Sequence, residues 1–158
     1  MPDLISHTVF SHITARLYDR GRTKNFLSGV RLFFYLGVFL PDITTRPVYI
    51  IFPATHNWII FLHTPLATLF LCLLLAQAVH PGMRRRAFVN MIAGAGTHYL
   101  LDAFQKQITG NNFWLFPFSW HNFGFDIMWA GTFVRLIPVS LLLLAGTETV
   151  IYLASKRK

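Results

Sequence analysis

The chain has 158 residues, enough for one domain, and 54% of them are hydrophobic whereas only 13% are charged. Soluble domains carry about 25% charged residues, so this composition leaves too few polar groups to cover a core in water and predicts a membrane protein. The net charge of +8 does not indicate nucleic-acid binding, because the basic residues form short groups that flank apolar segments.

The first predicted element is a helix over residues 3–18, "DLISHTVFSHITARLY". Asp3 suits the position that caps a helix start, and apolar residues recur at helical spacing from Ile5 onward. The polar side of this helix carries His7. We expect the helix either to lie flat on the membrane interface or to form a short additional span.

Four longer apolar segments follow, and each approaches the ~20 residues that a membrane-spanning helix needs. They cover residues 26–40, 58–79, 87–104 and 125–154. The first is expected to end at "PDITTRP", and the last is long enough to span the membrane with either a tilt or a bend at Pro138. These segments predict an all-α fold: a polytopic transmembrane bundle of four long helices plus a short amino-terminal helix, in a single integral-membrane domain over residues 1–158.

The basic groups predict the orientation of this bundle. If "RRR" at 84–86 and "SKRK" at 155–158 lie in the cytoplasm, the second and fourth segments end inside. The loops at 41–57 and 105–124 then lie outside. The sequence therefore predicts a multi-pass protein of the cytoplasmic (inner) membrane, with its carboxyl terminus in the cytoplasm.

Ionisable side chains are sorted between the two sides of the predicted bundle. All histidines except His80, and half of the acidic residues, fall on the outer side. Charged groups at the centre of a spanning helix cost about 2.5–3.5 kcal/mol each, so they persist when they pair, face a cavity or bind a metal. Imidazole and carboxylate groups are ligands of Zn²⁺ and other divalent first-row ions. The sequence therefore predicts an outer site for one or two metal ions, with Asp126 nearby on the same side and with these candidate ligands: His7, Asp42, His63, His98, Asp102 and His121.

An explanation without a metal is open for each of these residues alone. A histidine in an apolar helix is more often a satisfied core residue than a ligand. His98 and Asp102 could form a structural hydrogen-bonded pair, because residues four apart share a helix face. Asp42 could cap a turn, and His121 lies in an aromatic loop typical of the interfacial belt of membrane proteins. The joint placement of all these groups on one side favours a site.

Four short motifs give the chain a resemblance to a known family. In chain order they are "PDLISH" at 2–7, "LGVFLPDI" at 36–43, "HTPL" at 63–66 and "GAGTHYLLD" at 94–102. With them the chain resembles the predicted membrane-bound, metal-dependent hydrolases related to the LexA-regulated inner-membrane protein. That family is in turn distantly similar to the zinc-dependent phospholipase C fold.

The resemblance implies a helical bundle with a phospholipase C-like core and the metal ligands His7, Asp42, His63, His98 and Asp102. It also implies that His121 and Asp126 correspond to a later histidine and acidic residue of the phospholipase C-like pattern. The family often has a second histidine a few residues before the one in "HTPL". The nearest histidine here is His56, seven positions earlier.

The favoured hypothesis is a membrane-embedded, metal-dependent hydrolase that acts on a phosphoester at the outer membrane–water interface. A lipid is the expected substrate, because such a site opens where lipid headgroups lie. The cofactor would be a divalent metal, Zn²⁺ or alternatively Mn²⁺, as one or two ions. Asp126 is the candidate catalytic base that takes a proton from water. The aromatic loop 113–125 would contact acyl chains or headgroups.

The competing hypothesis is a non-catalytic helical membrane subunit that binds a cofactor or stabilises a larger complex. Histidines within helices also ligate haem, and abundant aromatic residues would suit a pigment. Three aspartates at helix ends weigh against this hypothesis, because axial pigment sites rarely need carboxylates.

Under the hydrolase hypothesis, the expected partner is membrane lipid, and nucleic acid is not expected. The sequence leaves the oligomeric state undetermined.

Overall fold

The computed structural model describes residues 4–18, 29–106, 113–121, 123–129, 132, 135 and 137–156. These residues are mostly helical, which confirms the all-α prediction. The helices are α1 Leu4–Tyr18, α2 Gly29–Ile51, α3 His56–Ile59, α4 Pro65–Gln77, α5 Arg84–Phe104 and α6 Ile137–Lys156. Short 3₁₀ helices cover Pro53–Thr55, Ile60–His63 and Pro81–Met83. Two-residue strands, β1 Gln105–Lys106 and β2 Met128–Trp129, pair in parallel.

Helices α2 and α5 cross in the interior at two glycines. A Cβ atom on Gly37 would overlap the backbone carbonyl of Met91, and one on Gly94 would overlap the backbone carbonyl of Phe34. Small residues at such crossings let two backbones approach closely. Val38 and Met91, beside the crossing, are completely buried. This contact sets the relative position of the two helices that carry Asp42, His98 and Asp102.

The predicted end of the first long segment at Leu40 is wrong, because α2 continues to Ile51 through Pro41 and Pro47. A proline inside a helix removes one backbone hydrogen bond and costs about 3 kcal/mol. Packing outweighs that cost here, since Pro41 is fully buried and Thr45 beyond it is buried as well. Asp42 therefore lies inside a continuous helix and does not cap a turn at its end.

The second segment, expected as one helix over 58–79, is divided. Residues Ile60–His63 form a 3₁₀ helix, Thr64 is extended with φ −112° and ψ 152°, and α4 starts at Pro65. The Thr64 hydroxyl accepts a hydrogen bond from the backbone N–H of Ala67 at 3.4 Å. A threonine N-cap followed by proline at the first helical position is a favourable helix start. His63 consequently lies just before α4 and not within it.

The third segment ends at Phe104 as predicted, although α5 begins three residues earlier than expected, at Arg84. The fourth segment is wrong over residues 125–129, which are not helical. Phe125 and Ile127 instead donate backbone hydrogen bonds to the carbonyls of Ala103 and Phe104, at 2.7 and 3.1 Å. Most of 130–136 lies outside the described residues. Pro138 falls in the first turn of α6, where a missing N–H costs little.

Helix α6 has the character of a membrane span. Its residues Ile137–Ala154 have a mean hydropathy of 1.7, and none of them is buried. In the part of the chain that the structure describes, this is the one helix both long and apolar enough to cross a membrane, while α4 is apolar but has only 13 residues. Glu148 joins α6 to α1 by accepting hydrogen bonds from Arg16 Nε at 2.6 Å and forming a pair with His12 Nε2 at 2.8 Å.

Candidate metal centre

Five ionisable side chains from distant parts of the chain meet beyond the α2–α5 crossing. His7 comes from α1, Asp42 from α2, His63 from the turn before α4, and both His98 and Asp102 from α5. His63 is partly exposed and the other four are buried. The structure therefore brings together all five residues that the resemblance implied as ligands.

Asp42, His63 and His98 have the geometry of a metal-binding triad. Each offers one ligand atom, and the three atoms lie within 4.8 Å of one another. Zinc binds histidine nitrogen and carboxylate oxygen at about 2.0–2.2 Å, which puts two ligand atoms of one tetrahedral ion about 3.4 Å apart. The Nε2 atoms of His63 and His98 are 3.5 Å apart. The triad could therefore hold an ion with small side-chain adjustments.

Asp102 lies at the centre of the histidines. Its Oδ2 atom is 2.9 Å from Nε2 of His63 and 3.2 Å from Nε2 of His98, and its Oδ1 atom is 3.6 Å from Nε2 of His7. His98 and Asp102 share one face of α5 because they are four residues apart. A carboxylate in this position can either bind a cation or fix the orientation of the imidazole rings around it.

Several other polar atoms of the cluster make no hydrogen bond to the described residues. These atoms are buried, and they include both ring nitrogens of His7, Nδ1 of His63, Nδ1 of His98 and Oδ1 of Asp102. Buried polar groups are normally satisfied, and buried charges are normally paired or bound to a metal. Orphaned imidazole nitrogens and a carboxylate oxygen at one point form a donor set that suits a divalent cation.

Neighbouring side chains hold this donor set in place. Nη2 of Arg46 lies 2.7 Å from Oδ2 of Asp42, one turn away on α2. The imidazoles of His7 and His98 stack with ring centroids 4.3 Å apart. Tyr99 presents its ring edge-on to His98, and its hydroxyl is 2.6 Å from that of Thr68. This packing restricts the rings and holds their nitrogen atoms close together.

The sequence reasoning missed Arg46, Tyr99 and Thr68. The spacing of Asp42 and Arg46, four residues apart with opposite charge, was a readable signal for their ion pair. The Thr68–Tyr99 hydrogen bond joins residues 31 positions apart on different helices. No local sequence pattern predicts such a contact, since it depends on how α4 and α5 pack.

Two predicted site residues do not belong to the buried cluster. His121 and Asp126 are exposed, and neither takes part in the ion pairs that join the five central side chains within the described residues. Asp126 has a positive φ of 48°, which places its backbone in the left-handed region. The backbone N–H of His121 donates to Oγ of Ser119 at 3.1 Å. The ligand role of His121 and the catalytic role of Asp126 stay predictions.

Comparison of the chain with protein-family models, curated proteins and solved structures gives no match. The functional conclusion therefore depends on the geometry of the cluster and on the chemistry of its residues.

Proposed function

We propose that this chain is a membrane-embedded, metal-dependent hydrolase that acts on a phosphoester of a lipid at the outer membrane–water interface. One observation carries the proposal: imidazole and carboxylate groups from four separate elements converge at a point where several of their buried atoms have no hydrogen-bond partner among the described residues. Hydrophobic packing alone would not favour that placement, because each buried polar group without a partner costs free energy.

Divalent first-row ions fit the donor set of the cluster. Asp42, His63 and His98 would hold one ion, zinc or alternatively manganese, and His7 with Asp102 could contribute to a second. Such an ion, when bound, supplies Lewis-acid polarisation of a phosphoryl oxygen and acidifies water. The chain itself supplies orientation, since Asp102 contacts the rings of His63 and His98. Asp126 is proposed as the group that accepts a proton from water.

A multi-pass arrangement in the inner membrane is part of the proposal. The span-like α6 supports it, and so do α4 residues such as Phe70 and Leu74, whose side chains are 58% and 66% exposed. Large apolar surfaces of this kind are unfavourable in water and suit lipid. The arginines at the start of α5 are proposed to lie on the cytoplasmic side. The cluster near the opposite end of α5 would then face the outer headgroups.

The proposed function is tested by metal analysis and hydrolysis together. The full chain, purified in detergent and dialysed against zinc, is compared with the His98→Ala variant and a His80→Ala control. His80 is exposed and lies between α4 and α5, at the end of α5 opposite the cluster. We expect about one or two zinc ions per chain in the wild type and in His80→Ala, and fewer in His98→Ala. The rate at which each protein hydrolyses a short-chain phospholipid should be proportional to its zinc content.

Each contrary outcome has a distinct meaning. Equal zinc content in His98→Ala and His80→Ala would remove the cluster as a metal site. Stoichiometric zinc without hydrolysis of any phosphoester would overturn the hydrolase and favour a non-catalytic metal-binding subunit. A coloured preparation without stoichiometric zinc or manganese would favour a pigment-binding subunit.

A further inference from the structure

A cavity of about 420 Å³ lies between α4, α5 and the aromatic segment 113–118. This volume is within the roughly 300–1,000 Å³ that is typical of small-molecule sites. Its walls include Leu66 and Leu69 from α4, Ile92 from α5, and Trp114 and Phe116 from the aromatic segment. The cavity shares none of its lining residues with the five-residue metal cluster.

The lining offers a ligand almost no polar contact. The hydroxyl groups of Thr68 and Tyr99 lie 2.6 Å apart and bond to each other. The indole N–H of Trp114 donates to the backbone carbonyl of Phe123. A sugar or nucleotide would lose its hydration here without recovering hydrogen bonds, which is unfavourable. A hydrocarbon chain would bury apolar surface at no such cost.

The side chain of Tyr99 contacts both the cavity and the metal cluster. Tyr99 lines the cavity, and its ring centroid lies 5.5 Å from that of His98 and 5.8 Å from that of His63. Trp114 packs against the same ring at 5.6 Å. A molecule in the cavity could therefore place its polar end at the histidines while its apolar part stays between the helices.

The outer rim of the cavity is continuous with the apolar surface. Leu69 and Phe118 line the cavity and are also 41% and 87% exposed. Under the proposed membrane placement, the neighbouring medium is lipid, so the nearest hydrocarbon chains are those of the bilayer. The source of an apolar occupant is thus the membrane itself.

We propose that this cavity is an acyl-chain subsite, which holds one hydrocarbon chain of the lipid whose phosphoester lies at the metal cluster. The inference rests on the proposed function and adds the place in the fold that binds the hydrocarbon part of its substrate. The aromatic segment covers the chain, and Tyr99 separates chain from headgroup. Selectivity for lipids over water-soluble phosphoesters would arise at this surface and not at the metal.

Gly96 provides a direct way to fill the cavity. It lines the cavity, and apart from its chain neighbours and the nearby backbone of its own helix, no described residue would come within 4 Å of a Cβ atom at this position. The Gly96→Leu variant should therefore occupy cavity volume without displacing backbone. Gly146 on α6 has the same open surroundings and does not line the cavity, so Gly146→Leu is the matched control.

The test measures chain binding by fluorescence and needs no turnover. A protein that keeps Trp114 as its only tryptophan is titrated in detergent with a bromine-labelled phosphatidylcholine, which quenches nearby indoles. We expect saturable quenching, with an apparent dissociation constant about tenfold higher in Gly96→Leu than in the parent. A tenfold change corresponds to the loss of apolar contact for about two methylene groups of the lipid chain. Gly146→Leu should bind as the parent does. A protein that keeps only Trp58, which is 80% exposed, reports quenching from the surrounding micelle.

Equal quenching curves for Gly96→Leu and Gly146→Leu would overturn the subsite, as would indistinguishable curves for the Trp114 and Trp58 proteins. If Gly96→Leu does not fold, Gly96→Ala adds a single methyl group and should give a smaller shift in the same direction. Absence of hydrolysis alongside the expected quenching would contradict the hydrolase and leave the apolar site standing. Hydrolysis without the expected quenching of Trp114 would contradict the acyl-chain subsite and leave the hydrolase standing.

Discussion

Oδ2 of Asp102 lies 2.9 Å from Nε2 of His63, although 39 residues separate the two along the chain. The same oxygen lies 3.2 Å from Nε2 of His98, so one carboxylate atom contacts two imidazoles from different elements. A buried carboxylate needs a positive or hydrogen-bonding partner. The arrangement explains why an apolar helix carries His98 and Asp102 one turn apart.

Replacing Asp102 should weaken metal binding without collapsing the fold. Asp102→Asn keeps the size of the side chain but removes its charge and one acceptor. Because partners that orient metal-bound histidines are typically worth 10–100-fold in affinity, we expect a loss of about that size. A competitive zinc chelator titration measures the affinity. Unchanged affinity would show that Asp102 neither binds nor orients the ion.

Replacing Asp126 should separate catalysis from metal binding. Asp126 is exposed and outside the cluster, so Asp126→Asn should keep the zinc content of the wild type. If Asp126 accepts the proton from water, turnover should fall by about 10²–10⁴-fold. Steady-state hydrolysis at saturating zinc measures this. If Asp126→Asn keeps the turnover of the wild type, a group other than Asp126 accepts the proton from water.

The α2–α5 crossing should tolerate no added methyl group. Gly37→Ala and Gly94→Ala each place a Cβ against a backbone carbonyl of the opposite helix, whereas Gly146→Ala meets open space. Overpacking of this kind typically costs about 1–3 kcal/mol, and glycine to alanine within a helix otherwise favours the helix. Thermal unfolding in detergent should therefore give a lower Tm for the first two variants and an unchanged or higher Tm for the third. Equal Tm values would contradict the close crossing.

Removing the charge of Glu148 should loosen α6 from α1. Glu148 contacts Arg16 and His12, and its side chain is 37% exposed. Because solvent screens a partly exposed pair, we expect Glu148→Gln to lower the free energy of unfolding by about 1 kcal/mol. Thr149→Val is the control, since among the described residues that hydroxyl donates to the carbonyl of Ala145, within α6 itself. Equal stability of the two variants would show that the contact does not hold the helices together.

The helical elements could be predicted where local pattern and packing agree. The α1 helix and the end of α5 follow the apolar periodicity of the chain. The end of α2 could not be predicted, because the local rule for Pro41 conflicts with burial of that residue in the assembled core. The break before α4 could have been predicted from Thr64 and Pro65, which are favourable residues for a helix cap and a first helical turn. It was missed because the hydropathy is high on both sides of these residues.

The membership of the site could be predicted better than its geometry. Residue type and a common side of the bundle were enough to group His7, Asp42 and His98. The exposed positions of His121 and Asp126 depend on the path of the segment after β1, which is aromatic and lacks helical periodicity. Contacts that hold the cluster, such as Tyr99 on His98, depend on packing between helices and have no local pattern.

X-ray absorption at the zinc edge of the zinc-loaded protein in detergent tests the central claim most directly. Convergence of Asp42, His63 and His98 predicts stoichiometric zinc with nitrogen and oxygen ligands at about 2.0–2.2 Å and outer-shell scattering from at least two imidazoles. Zinc that shows only water-like oxygen scattering, or no bound zinc at all, would contradict the account.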